Sequence, residues 1–150
     1  MTTNAERAQV LESALRAGLG RNGAALAAHV TEDVRGWAPS LAVGSAAELV
    51  GALEQRDEAL SQAFSGERLD VYALDVGGDL ACAEWCLRMQ HTGSLALSDG
   101  TTVEATDIAV TINGVTVAEF REGRICSFRH YWDELTVFEQ LGLARPRHGR

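Results

Sequence analysis

The chain has 150 residues, enough for one domain with a core of its own. Apolar residues make up 46% and charged residues 23%, the balance of an ordinary globular protein. A formal charge of −8 argues against nucleic acid as a partner, and no apolar run approaches the roughly twenty residues of a membrane span.

Thr3 and Glu6 form a T-x-x-E capping box, and Val10, Leu11, Ala14 and Leu15 follow at helical spacing. Gly18 and Gly20 are expected to end that helix. A short second helix is predicted over Ala24 to Val30. TEDVRGWAP then reads as a loop or short strand stopped by Pro39. Ser45 and Glu48 make a second box before Leu49, Leu53, Leu60 and Phe64, with Gly66 as the expected end. From Leu69 the period becomes two. LDVYALDV is a strand, GGD a turn and LACAEWCLRMQH a longer strand. Alternation groups Ala83, Trp85, Leu87 and Met89 on one face and Cys82, Glu84, Cys86 and Arg88 on the other.

TGSLALSDGTT reads as a loop or loose hairpin and IAVTINGVTVAEF as strand throughout. Asn113-Gly114 is either a tight turn or a bulge within it. Ile125 to Trp132 is a strand. Alternation places Cys126, Phe128, His130 and Trp132 together, opposite Ile125, Ser127, Arg129 and Tyr131. Asp133 caps a last helix running to Leu141, which Gly142 ends. Helices first, then strands, then one helix point to an α+β fold, with helices on one face of a curved, mostly antiparallel sheet in a single domain spanning 1–150.

Chemistry-bearing residues are few. His130 stands between Phe128 and Trp132, and an imidazole there can pass a proton either way near neutral pH. Its structural alternative is a wall histidine bonded to the backbone. Cys82, Cys86 and Cys126 are odd in number and contain no CxxC, so they read as small apolar residues. Four strand residues, about 13 Å, separate Cys126 from His130 and rule out direct activation of that thiol. His91 reads as a loop histidine, Asp107 as a turn or surface residue, and Asp33 and Asp133 as caps. Glu84, Arg88 and Arg129 are expected to meet solvent or a partner subunit. No histidine pair has metal-ligand spacing, and GGD lacks the glycines and helix of a dinucleotide fingerprint. Neither metal nor cofactor is expected. The N-terminus, MTTNAERAQ, has no apolar signal core, so a cytoplasmic location is expected.

GRICSFRHYWDELTVFEQLGL resembles the closing strand and helix of the SnoaL-like polyketide cyclases, within the nuclear-transport-factor-2-like superfamily. TEDV, GSAAELVGAL, AEWCLRMQHTG and SDGTTVEAT followed by VAEFREGRI agree in order, so the resemblance covers nearly the whole chain. It implies a cone-shaped barrel wrapped around the N-terminal helices, a deep apolar pocket and a homodimer through the outer sheet face. It also implies His130 at a position where the cyclases and epoxide hydrolases carry an acid–base aspartate, and Thr116 at or near a second polar pocket position. The ketosteroid isomerase base would fall near Ala38. The epoxide hydrolases' water-holding residues fall where Arg35 and Trp37 stand, and their Arg-x-Asp pair falls at Trp85 and Leu87. The chain therefore departs from each of these catalytic sets. The resemblance implies a cofactor-free cyclase that closes a ring in a small apolar polyketide-like substrate by templating it, with His130 as the proton shuttle or hydrogen-bond donor. Trp37, Trp85, Leu87, Met89, Thr116, Phe128 and Trp132 would then form the substrate-binding wall. The alternatives are an epoxide hydrolase or epoxide-opening cyclase, and a non-catalytic small-molecule-binding or dimerisation module.

Overall fold

A computed structural model describes residues 3–143 other than Arg21, Ser40, Val76 and Ser98, with the backbone only at 56–60 and 73–75. In chain order the elements are α1 (Asn4–Leu19), α2 (Gly23–Ala27), β1 (Val30–Ala38), β2 (Leu41–Val43), α3 (Ala46–Ala63), β3 (Phe64–Asp75), β4 (Leu80–His91), β5 (Leu95–Ala96), β6 (Thr102–Val103), β7 (Ala109–Arg121), β8 (Arg124–Trp132) and α4 (Glu134–Gln140). Six strands form one curved sheet in the order β2-β1-β8-β7-β4-β3, and β5 pairs with β6 as a separate hairpin. Every pairing is antiparallel except β1 with β8. The α+β architecture is thus an open cone, with β2 and β3 at its two edges.

The local signals act where expected at several points. Thr3 and Glu6 close a reciprocal capping box on α1, whose Leu11 and Ala14 are buried. On α3, Ser45 accepts from the Glu48 amide at 3.1 Å, while Glu48 turns to Gly44 N at 2.8 Å. Asp133 caps α4 by accepting from Leu135 N at 3.0 Å. Leu49 is buried, whereas the side chain of Leu60 lies outside the described residues.

Other expectations are corrected. The second helix covers Gly23–Ala27, and Val30 already begins β1, which runs through the segment read as a loop or short strand. Helix α3 stops at Ala63 rather than Gly66. Gly66, at φ +64°, instead sits in a bulge of β3, where the register with β4 shifts between Ser65 and Arg68. Asn113-Gly114 makes neither a turn nor a bulge, because the β7 register against β4 runs unbroken from Ala109 to Glu119. In β8 the expected alternation breaks at a bulge. Phe120 faces Ile125 but Glu119 faces Ser127, so Cys126 is the extra residue. Ile125 therefore turns into the core with Phe128, and Cys126 is left half-buried with its thiol against the Glu119 carbonyl.

The helices cover the inner face of the sheet, with α1 against β3 and β4 and α3 against β1. Two apolar clusters form there. One joins Leu11, Leu26, Val34, Leu49, Phe120, Ile125 and Phe128. The other joins Ala63, Phe64, Met89, Leu95, Val110, Ile112 and Leu141. Among the described residues no helix is long and apolar enough to cross a membrane.

Candidate active site

Strand register brings the predicted polar residues together. Ala83, Thr116 and His130 are cross-strand neighbours on β4, β7 and β8, and Trp85, Gly114 and Trp132 form the next row. Cross-strand partners share a face, and this is the inner face that carries Ala81, Ala83 and Ala118 of the core. The small residues Ala83, Ala118 and Gly114 leave room above the sheet, and aromatic rings fill it. A Cβ on Gly114 would lie 2.2 Å from Trp85 Cζ2, so the indole lies over that glycine. A Cβ on Gly36 would lie 1.9 Å from Phe128 Cζ, so the phenyl ring covers β1 in the same way.

Lying over Gly114 carries the indole to the neighbouring row. Trp85 Nε1 donates to Thr116 Oγ1 at 3.0 Å, and Thr116 Oγ1 is 2.6 Å from His130 Nδ1. Thr116 is 1% exposed, whereas Trp85, His130 and Trp132 are half-buried. The Phe128 and His130 rings are 4.9 Å apart, tilted by 49°. Leu87 and Trp132 pack on the second apolar cluster, of which Met89 is a buried member. The result is a polar chain, Trp85–Thr116–His130, set between two apolar clusters and still open to solvent at its aromatic members.

Trp37 does not join this group. Because Gly36 faces Phe128 on the inner side, its neighbour Trp37 projects outward, 47% exposed, with its ring 5.3 Å from that of Tyr131. The expected place of Trp37 in the substrate wall is corrected accordingly. That outer face also carries an open cleft of about 440 Å³ bordered by Tyr72, Glu84, Cys86, Asn113, Val115 and Tyr131. Another, of about 1030 Å³, lies between the start of α1 and the β3–β4 and β7–β8 turns, bordered by Glu6, Arg7, Asp79, Phe120 and Glu122.

The remaining polar residues fall into place around the sheet. His91 is wholly buried at the end of β4, not solvated. Its Nδ1 accepts from Thr106 N at 3.3 Å and lies 2.9 Å from Thr106 Oγ1, and its ring is 5.3 Å from that of Phe64. Its inner-face parity with Leu87 and Met89 was the signal for burial. Asp107, at φ 57°, is an exposed residue of the loop before β7, and its carboxylate accepts from Gln90 at 2.8 Å. Asp33 is not a cap. It pairs at the surface with Arg121, and that hydrogen bond holds its carboxyl below the usual range. Glu84 and Arg88 face outward; Arg88 meets Asp70 at 3.3 Å, and Arg129 approaches Glu119 at 4.0 Å. Burial pushes the Cys82 thiol up, with Glu84 adding to the shift. Among the described residues no three His, Cys, Asp or Glu side chains gather as a metal-binding group.

The open α+β cone is a ketosteroid-isomerase-like fold, the fold by which one solved neighbour is described, and other solved structures agree. TsrD from Streptomyces laurentii superposes with a TM-score of 0.73 at 16% identity, over 96% of this chain and 100% of that one. A candidate polyketide cyclase from Xanthomonas campestris gives 0.73 at 17% identity, over 93% and 99%. An LEH-like epoxide hydrolase from Mycobacterium tuberculosis gives 0.64 at 16%, over 91% and 90%. At these identities the likeness is one of fold. No protein with a curated description matches the sequence. Residues 20–141 match the family model of the SnoaL-like polyketide cyclases, and the chain belongs to that family.

Proposed function

We propose that this protein is a cofactor-free, cytoplasmic cyclase. It closes a ring in a polyketide-like apolar intermediate of secondary metabolism. The observation that carries this reading is the Trp85–Thr116–His130 chain on the inner face, flanked by Phe128, Trp132, Leu87 and Met89. Family membership supports the substrate class. The apolar and aromatic side chains hold an extended chain in a folded shape, so that much of the barrier is removed by orientation. His130 supplies the one group of the row that can exchange a proton with a carbonyl or enol oxygen as the ring closes. No carboxylate accompanies it in the row, which favours templating with a single hydrogen-bonding group over a two-carboxylate mechanism.

The test is turnover of linear polyketide intermediates by the purified protein. Wild type is expected to accelerate ring closure, and His130→Ala to lower kcat by about 10²-fold or more, the usual scale of a proton-transfer group. Undiminished closure by His130→Ala would remove the histidine from the chemistry and leave templating alone. Products carrying oxygen from labelled water would mark epoxide opening instead. Binding of an apolar dye without turnover of any such intermediate would mark a non-catalytic module.

A further inference from the structure

The hydrogen bonds of Thr116 contain more information than their distances. A threonine hydroxyl has one proton to donate and two lone pairs with which to accept. An indole N–H can only donate, so the Trp85 contact at 3.0 Å occupies one lone pair of Thr116 Oγ1. Thr116 is 1% exposed, so bulk solvent does not reach its hydroxyl. Among the described residues the one acceptor offered to its proton is His130 Nδ1, at 2.6 Å. Were Nδ1 to carry the proton instead, two donors would converge on the oxygen and the hydroxyl proton would be buried without an acceptor. An unsatisfied buried donor costs about 1–3 kcal/mol, enough to select one arrangement.

We infer that Thr116, oriented by Trp85, fixes neutral His130 as the tautomer protonated at Nε2, so that the distal ring nitrogen is a hydrogen-bond donor and not a base. Thr116 and Trp85 are positioning residues acting through His130. The donor role rests on the cyclase reading above; the tautomer assignment does not. Nδ1 is the ring nitrogen nearer the backbone, and it is turned along the sheet toward β7. Nε2 is the distal nitrogen, on the side of the ring away from that contact. A donor there is matched to an oxygen that gains negative charge during reaction, such as the carbonyl attacked by an enol carbon in ring closure. The ligand class that follows is an apolar ketone or aldehyde rather than a carbon acid needing deprotonation by the protein. The residue type agrees with this reading: a carboxylate at position 130 would be an acceptor, whereas this histidine is held as a donor.

Long-range proton–nitrogen NMR correlation on protein labelled with nitrogen-15 histidine separates the two tautomers without substrate. At a pH where the His130 ring is neutral, wild type is expected to show protonated-type Nε2 and bare-type Nδ1 as one dominant form. Thr116→Val, which keeps the shape and loses the hydroxyl, should shift His130 toward a mixture, and Thr116→Ser should restore the single form. A dominant Nδ1–H form in wild type, or a tautomer ratio identical in Thr116→Val, would overturn the assignment. The wild-type spectrum alone can do so even if a variant fails to fold. If the Nε2–H form is observed but His130→Ala closes rings as fast as wild type, the donor role is overturned while the assignment stands.

Discussion

Gly114 illustrates how a single absent side chain organises this site. It lies opposite Trp85 on one side and Trp132 on the other, and the Trp85 indole occupies the space its Cβ would need. Gly114→Ala must push the indole away, and with it the Nε1 donor from Thr116. Overpacking of this kind costs about 1–3 kcal/mol. The expected outcome is a lower urea midpoint with an unchanged slope. The Trp85 indole N–H resonance should move as its hydrogen bond to Thr116 is lost. A variant with wild-type stability and an unmoved indole resonance would contradict this account. Sequence alone marked Asn113-Gly114 as special but misassigned the cause. A local turn rule was the visible signal, whereas the operative constraint is a ring arriving from residue 85, twenty-nine positions earlier in the chain. Thr116 was legible as a polar position, but its bond to Trp85 was not, because that bond depends on register between two strands. Trp37 misled for a different reason: its parity is set by which way Gly36 faces, and only Phe128 lying across β1 reveals that.

At the scale of elements, strand type and inner-face parity were legible wherever alternation ran unbroken. LACAEWCLRMQH became β4 with the predicted faces, and His130 shares its face with Phe128 as expected. The failures sit at bulges, at Gly66 in β3, read as a helix end, and at Cys126 in β8, where one extra residue puts Ile125 on the face of Phe128 without leaving a strong local signature. Helix α4 shows a further long-range device. Beyond Gly114, β7 has no β8 partner, and the Gln140 side chain takes that place. Its Oε1 accepts from Thr111 N and its Nε2 donates to Thr111 O, both at 2.8 Å. The amide acts as a one-residue strand that docks α4 beside the second apolar cluster, where Val137 and Leu141 pack near Trp132. Gln140→Leu keeps the bulk and loses both bonds. At about 1 kcal/mol each, the expected loss is about 1–2 kcal/mol in the unfolding free energy. Hydrogen exchange should quicken at the Thr111 amide before it does in β4. Unchanged protection at Thr111 would show that α4 is held by packing alone.

At the scale of the whole molecule, the sheet has two faces with different tasks. The inner face is covered by α1 and α3 and carries the polar chain. The outer face has no covering element among those described, yet it displays Trp37 at 47%, Tyr131 at 48% and Tyr72 at 62% exposure. Large aromatics exposed together on one face mark an interaction surface more often than scattered apolar residues do. Arg35, Glu84 and Arg129 lie on the same face and supply the polar contacts that such a surface needs. The occupant we favour is a second copy of the chain, since a two-fold arrangement lets one aromatic patch serve both partners. A stable dimer would need about 800 Å² buried on each subunit, within reach of five adjoining strands. Sedimentation should therefore give a species of twice the 16.1 kDa chain mass at micromolar concentration. Tyr131→Asp would place a charge at the centre of the patch, beside Trp37, and is expected to shift that species to monomer. Since Tyr131 points away from the core, the far-ultraviolet circular dichroism and the His130 tautomer should stay as in wild type. A wild-type protein that sediments as a monomer throughout that range would reject the second copy as the occupant. A Tyr131→Asp variant that remains dimeric would move the interface away from this face.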